Sequence, residues 1–313
     1  MSPSTPRPVR IATRASRLAV WQADHVAALL RSAWPGIGVE IVHVSTAGDR
    51  DQAARLSTFG GLGVFTREVQ KAVLDSAADI AVHSLKDLPT ESAAGLVLAA
   101  VPVREETTDA LVLPGSAGKV ANLAALSGGA RLGTGSLRRR AQLLHLRPDF
   151  QMSDVRGNVE TRLKKLDAGE FDALVLAVAG LSRLGLADRI SLRMAPPLMY
   201  PAVGQGALAI ECRQADAETA SLLSKIDDPT AGSEVAAERA LLAHLRAGCH
   251  APVGAATRIE GEQLVLEGVV LSPDGKERIF ATETGRSDNA VSLGQLVADR
   301  LLRQGADRLI AAP

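Results

Sequence analysis

His83, Ser84, Lys86 and Asp87 place four polar side chains within five residues, between the apolar run Ile80-Ala81-Val82 and Pro89. A cation beside a carboxylate can hold an anionic ligand and stabilise a cationic intermediate. The same residues also suit a salt-bridged surface turn. Thr134-Gly135-Ser136, running into Arg138 and Arg139, has a clearer logic for a carboxylate or phosphate. The glycine lets the backbone approach, hydroxyls and helix-terminal N–H groups donate, and guanidiniums pair bidentately. The Gly-Lys-Ser/Thr ending of a P-loop is absent, and a capped helix with solvent-facing arginines is the plainer alternative. Arg156-Gly157-Asn158 repeats the pattern, with Arg162 one turn on, Arg183 near the start of another helix, and Arg14 and Arg17 around the helix-capping candidate Ser16. Arginine at so many strand ends asks for a ligand with several carboxylates. Cys249, between Gly248 and His250, suits a nucleophile, an attachment point or a small buried hydrophobe. The last reading fits Cys212, at the end of an apolar run. Six histidines are scattered without metal-site spacing, so no metal is expected.

Strand ends and helix starts must position these residues, and hydrophobic periodicity supplies both. Strands are expected over 9–12, 38–44, 80–82, 96–101, 131–133, 150–155, 173–178 and 207–212. Helices are expected over 18–32 (apolar stripe Leu18, Trp21, His25, Leu29), 64–76, up to about 146, over 159–168, and from 179. In such α/β sheets ligands lie beyond the carboxyl ends of strands. The polar, glycine-bearing segment 45–63 reads as a mobile lid, with Phe65 facing the cleft or joining the core. Two crossings, near 102–106 and 196–206, resemble hinged two-domain binding proteins whose cleft closes on a ligand. From 229 a helix, three alternating runs and a terminal helix form a small α+β unit. The expected fold is therefore α/β: two hinged doubly wound lobes resembling periplasmic binding proteins, plus a small C-terminal α+β domain. Residues 1–103 with 205–225 form the first lobe, 104–204 the second, and 226–313 the C-terminal domain. No internal repeat is visible beyond the α/β alternation.

Composition narrows the partners. Of 313 residues, 35 are Lys or Arg and 35 Asp or Glu, so no global field attracts polyanions or membrane surfaces. Aromatics make up 3%, too few for a base-stacking platform. Neither nucleic acid nor membrane is expected. The first ten residues lack an apolar signal core, no run approaches a membrane span, and two cysteines make no disulfide framework, so a cytoplasmic protein with reduced thiols is expected.

Taken in order, these segments resemble the porphobilinogen deaminase, or hydroxymethylbilane synthase, family nearly end to end. The motifs are Ile11-Ala12-Thr13-Arg14 with Ser16 and Leu18; Ala81 to Pro89; Gly133 to Arg139; Arg156-Gly157-Asn158 with Thr161-Arg162-Leu163; Ala179-Gly180-Leu181 with Arg183-Leu184; Gly204-Gln205-Gly206; and Gly248-Cys249. Singly they are weak; in this order and with these gaps they are very specific. The resemblance implies that Cys249 carries a dipyrromethane cofactor through a thioether, and that four porphobilinogen molecules lose ammonia and condense upon it into a linear tetrapyrrole. Asp87 would stabilise cationic pyrrole intermediates and assist proton transfers. Lys86, Ser136, Arg138 and Arg139 would hold cofactor carboxylates, with Thr134 and Ser84 supporting. Arg14, Arg156, Arg162 and Arg183 would hold substrate and growing chain, with Ser16 supporting and Phe65 at the site. A monomer is implied. The chain departs from the family at Thr58 and Leu62, positions that are often lysine.

Two other functions compete. A non-catalytic two-lobed binding module for a polycarboxylate explains crossings and arginines but gives Cys249 and the third domain no purpose. A cysteine-nucleophile acyltransferase would form a thioester labile to hydroxylamine, whereas a thioether resists it.

Overall fold

The computed structural model describes residues 8–45, 66–115, 118–248 and 251–310. Cys249, Phe65 and the expected lid with Thr58 and Leu62 lie outside the described residues. In chain order the elements are β1 (Val9–Arg14), α1 (Arg17–Ala33), β2 (Val39–Val44), α2 (Arg67–Leu74), β3 (Ile80–Ser84), β4 (Leu96–Ala100) and β5 (Asp109–Val112). There follow β6 (Arg131–Gly133), α3 (Leu137–Leu146), β7 (Gln151–Ser153), α4 (Val159–Asp167), β8 (Ala173–Ala177), α5 (Val178–Arg183) and β9 (Leu192–Met194). The chain continues through β10 (Leu208–Arg213), α6 (Ala217–Leu223), α7 (Pro229–His244), β11 (Val253–Glu260), β12 (Gln263–Leu271), β13 (Arg278–Arg286), α8 (Ala290–Arg303) and α9 (Ala306–Ile310). It divides into two compact units, Met1–Arg104 with Ala207–Gly232 and Glu105–Gly206 with Ser233–Pro313.

The first unit is built on a five-stranded sheet, β2-β1-β3-β10-β4. Strands β1, β2 and β3 are parallel, and β10 runs antiparallel to β3 and β4. Ile11, Ile80 and Ile210 are fully buried against α1 on one face. The buried stripe of α1 is Gln22, Ala23, Val26, Ala27 and Leu30, not the expected Trp21, His25 and Leu29. Alanines let the helix approach the strands closely, while Trp21 and His25 stack on each other at its flank, ring centroids 5.0 Å apart. Val69 and Val73 of α2 cover the opposite face, over Ala12 and Ala81.

The second unit contains a five-stranded sheet, β7-β6-β8-β5-β9, with β6, β7 and β8 parallel and β5 antiparallel to its neighbours. Its strand order and directions match those of the first sheet. In each, the antiparallel strand is the one reached just after the chain crosses between units. β5 and β9 are absent from the sequence-based expectation; β5 follows the first crossing and β9 precedes the second. The C-terminal sheet, β11-β12-β13, is antiparallel, with Leu293, Val297 and Leu301 of α8 in its core. Within this unit Tyr200 packs with Ala141 of α3 and with Val269 and Leu271 of β12. The β12–β13 turn is also tied to α3, His145 Nδ1 donating to Gly275 O at 2.8 Å. Among the described residues no helix is long and apolar enough to cross a membrane.

Gly206, at the second crossing, has φ +86°, and a Cβ there would lie 2.3 Å from the Glu105 carbonyl oxygen. Neither backbone can yield easily, so Gly206→Ala combines a left-handed conformation with overpacking and should cost about 2 kcal/mol. Gly232, inside α7 with nothing within 4 Å of its Cβ position, should instead gain up to about 1 kcal/mol on Gly232→Ala. Thermal melts of the two variants should therefore shift in opposite directions.

Candidate active site

At the carboxyl edge of the first sheet, β1 and β3 are neighbours whose following segments diverge, the kind of switch point at which α/β sheets bind ligands. A pocket of about 80 Å³ sits there, with Arg14, Ser16, Gln22, His83, Ser84 and Asp87 in its wall. Ser16 caps α1, its hydroxyl accepting from Ala19 N at 3.4 Å. Gln22 Nε2 donates to Ser84 Oγ at 2.7 Å. Asp87 is exposed at the end of a single 3₁₀ turn, Leu85–Asp87. That turn is anchored by the buried Leu85, whose N–H donates to Ala207 O at 3.0 Å. Lys86, half-buried on the same turn, does not line this pocket. Beneath, the buried His83 has Nε2 3.1 Å from Glu211 Oε2, and both oxygens of Glu211 accept from Gln70 Nε2, at 3.2 and 2.9 Å.

The corresponding edge of the second sheet carries the arginines. Ser136 caps α3, accepting from Arg139 N at 3.5 Å, and Thr134 Oγ1 accepts from Ser136 N at 3.2 Å. Arg138 and Arg139 are buried, so of the plainer alternative the helix cap stands and the solvent-facing arginines do not. Both pair with Asp109, itself fully buried: Arg138 Nη1 lies 2.7 Å from Oδ2, and Arg139 Nη2 2.7 Å from Oδ1. Gln205 Nε2 donates to the same Oδ1 at 2.9 Å. Burial alone would raise the Asp109 pKa, but the charges and hydrogen bonds of Arg138 and Arg139 outweigh it and hold the carboxyl well below the usual range. Arg138 Nη1 also donates to Tyr200 O at 2.5 Å, and Arg139 Nη1 to Val175 O at 3.0 Å. Arg138 Nε is buried and has no hydrogen-bond partner among the described residues. Two guanidiniums thus face one carboxylate, leaving a buried positive excess and an unused donor. A carboxylate-bearing group bound at this edge fits both.

On the next strand end, Asn158 caps α4 by accepting from Thr161 N at 2.9 Å. Gly157 must be glycine there: its φ is +103° and a Cβ would meet Thr161 Cγ2 at 2.6 Å. Half-buried Arg156 precedes it, and Arg162 Nε donates back to Gly157 O at 2.8 Å. Arg183 ends the short α5, not starts it, and its Nη2 donates to Gly206 O at 2.6 Å. Burial pulls the Arg183 guanidinium below its ordinary pKa, against the Glu105 charge. Cys212 is buried in β10, where burial pushes its thiol up. Sequence reading singled out His83 and the Gly204-Gln205-Gly206 motif but not their partners: it missed Asp109, Gln22, Glu211 and Gln70. Asp109 had one signal: it is an acid opening the apolar run Ala110-Leu111-Val112.

A family model described as "Porphobilinogen deaminase, dipyromethane cofactor binding domain" matches residues 9–221, and one described as "Porphobilinogen deaminase, C-terminal domain" matches 233–303. A porphobilinogen deaminase of Xanthomonas campestris is 48% identical, covering 97% of this chain and 98% of its own length. One of Syntrophotalea carbinolica is 43% identical, covering 97% and 95%. Among solved structures, the periplasmic VFT2 domain of Bordetella pertussis BvgS is similar at 17% identity and a TM-score of 0.43, covering 72% of this chain and 91% of that one.

Removing Asp109 strands two buried guanidiniums, so Asp109→Ala should destabilise the second unit by about 3–5 kcal/mol in chemical denaturation. The folded pKa is depressed, so this contribution is fully present above the ordinary carboxylate pKa near ~4 and is lost as pH falls through the folded value. Wild-type stability should therefore decline below about pH 4, more steeply than in Asp109→Asn.

Proposed function

The chain belongs to the porphobilinogen deaminase family, and from that membership we propose how its residues share the reaction. It is a transferase, a hydroxymethylbilane synthase that condenses four porphobilinogen molecules, with loss of ammonia, into a linear tetrapyrrole. Bound dipyrromethane supplies the primer, a pyrrole with a free α-carbon.

Asp87 performs the chemistry. Its carboxylate is exposed at the pocket wall, where it balances positive charge that develops on the substrate as ammonia leaves and takes the proton shed when the new carbon–carbon bond forms. Arg138 and Arg139, with Thr134 and Ser136, hold cofactor carboxylates. The buried excess of positive charge over Asp109 is the observation that carries this reading, because an added anion would balance it. Lys86 and Ser84 hold cofactor carboxylates in the first unit, and Cys249 is the attachment point. Arg14 and Ser16 bind substrate carboxylates, and Arg156, Arg162 and Arg183 bind those of the growing chain, with Phe65 contributing an apolar wall.

The labour divides along the chain into 1–103 with 205–225, carrying Asp87; 104–204, carrying the arginines; and 226–313, carrying Cys249. The enzyme works as a cytoplasmic monomer on a small-molecule substrate. Its zero net charge supports the absence of nucleic-acid and membrane partners.

Intact-mass measurement should find wild-type protein heavier than its sequence by one dipyrromethane, and Cys249→Ser at its sequence mass. Asp87→Ala should keep its adduct and its melting temperature while kcat falls about 10²–10⁴-fold. Near-normal turnover in Asp87→Ala would remove the role assigned to it.

A further inference from the structure

Thr66 stands immediately before α2, lines the Asp87 pocket and is only 2% exposed. Its Oγ1 is buried with no hydrogen-bond partner among the described residues. The hydroxyl does not cap its own helix, which is the usual local use of a threonine at this position. Buried polar groups are almost always satisfied, so an orphan in a pocket wall points to a group that the pocket receives.

Its placement is enforced from behind. Thr66 O accepts from Gln70 N at 2.8 Å, so the two residues lie one turn apart on the same face. Gln70 Nε2 in turn donates to both oxygens of Glu211 on β10, at 3.2 and 2.9 Å, and Glu211 lies 3.1 Å from His83. This buried network, which the mechanism above does not use, ties the first turn of α2 to the sheet. Arg14, Asp87, Thr66 and His83 share the wall of this pocket, and the Glu211 carboxylate lies behind His83. A ligand with carboxylates and an ammonium can set its carboxylates on Arg14 and its ammonium toward Asp87 and Thr66.

Resting on the deaminase reading, we propose that Thr66 is a substrate-binding residue whose Oγ1 accepts a hydrogen bond from the aminomethyl ammonium of porphobilinogen and aligns it for departure. When the carbon–nitrogen bond breaks, nitrogen leaves as neutral ammonia with the bonding pair, and the positive charge stays on the pyrrole. Thr66 exchanges no proton.

The test compares Thr66→Val with wild type on two ligands: porphobilinogen, and its analogue with methyl in place of aminomethyl, read as a competitive inhibitor. Loss of one hydrogen bond to a charged group should lower kcat/KM for porphobilinogen about tenfold or more. The analogue's inhibition constant should stay unchanged, and the variant should melt no lower than wild type, since an unsatisfied hydroxyl has been removed. Thr66→Ser should rescue most of the loss. Unchanged kcat/KM, or an equal loss for both ligands, overturns the assignment. Should Thr66→Val not fold, Thr66→Ala takes the same two measurements. Failure of wild type to produce hydroxymethylbilane would instead overturn the deaminase reading, so the two failures are distinct.

Discussion

One buried carboxylate holds the second sheet's ligand edge together. Asp109 opens β5 at zero exposure, and it is the anion that lets Arg138 and Arg139 leave water. Isolated buried charges are prohibitive, and a buried pair survives only with further hydrogen bonds. Those come from Gln205 to the carboxylate and from the guanidiniums to Tyr200 O and Val175 O. Four separated segments of the chain therefore converge on one charge: β5, α3, β8 and the second crossing. The cluster is unbalanced by one positive charge, so its own electrostatics favour completion by an anion. Stability and anion affinity are the same arrangement seen from two sides.

The two sheets share a strand order and use it differently. In each, neighbouring parallel strands with diverging connections leave a crevice at their carboxyl ends, and helix caps there present N–H groups: Ser16 in the first, Ser136 and Asn158 in the second. The first edge adds a mixed wall, with Arg14, Asp87 and a buried His83–Glu211 pair. The second adds Arg138 and Arg139, both paired with the buried Asp109. The division of roles proposed above would use both kinds of edge, one with an excess of positive charge and one that can offset it.

Much of this is legible in the amino-acid sequence alone. The parallel strands β1, β3 and β8 announce themselves as short apolar runs and β6 by the Thr, Gly, Ser and Arg that follow it, and polar residues at these strand ends are the site candidates. Periodicity misplaces the buried face of α1, because Trp21 and His25 outweigh Ala23 and Ala27 in apolar bulk while the close packing on the sheet demands small residues. β5 and β9 escape for a different reason. Each is short and is defined by the strands beside it in space, not by its own sequence; β6, equally short, is legible from the Thr134-Gly135-Ser136 segment that follows it. Polar networks are the hardest to see. Nothing local links Asp109 to Gln205 or Glu211 to Gln70, and such pairings exist only once the sheets have brought remote segments together.

The contrast in burial between the charged groups carries its own logic. Arg138 and Arg139 are nearly inaccessible, while Asp87 is exposed on a turn fixed by the buried Leu85. An anchor for a permanent anion gains from a low dielectric, since each hydrogen bond is stronger there. A carboxylate that must offset a transient cation is served differently. Exposure spares such a group the desolvation cost of burial, and the turn keeps it aimed. The apolar anchor under Asp87 thus secures geometry without desolvating the charge. That separation, backbone held by a buried leucine and carboxylate left at the surface of the pocket, suits the role proposed for Asp87 in the short segment between β3 and Pro89.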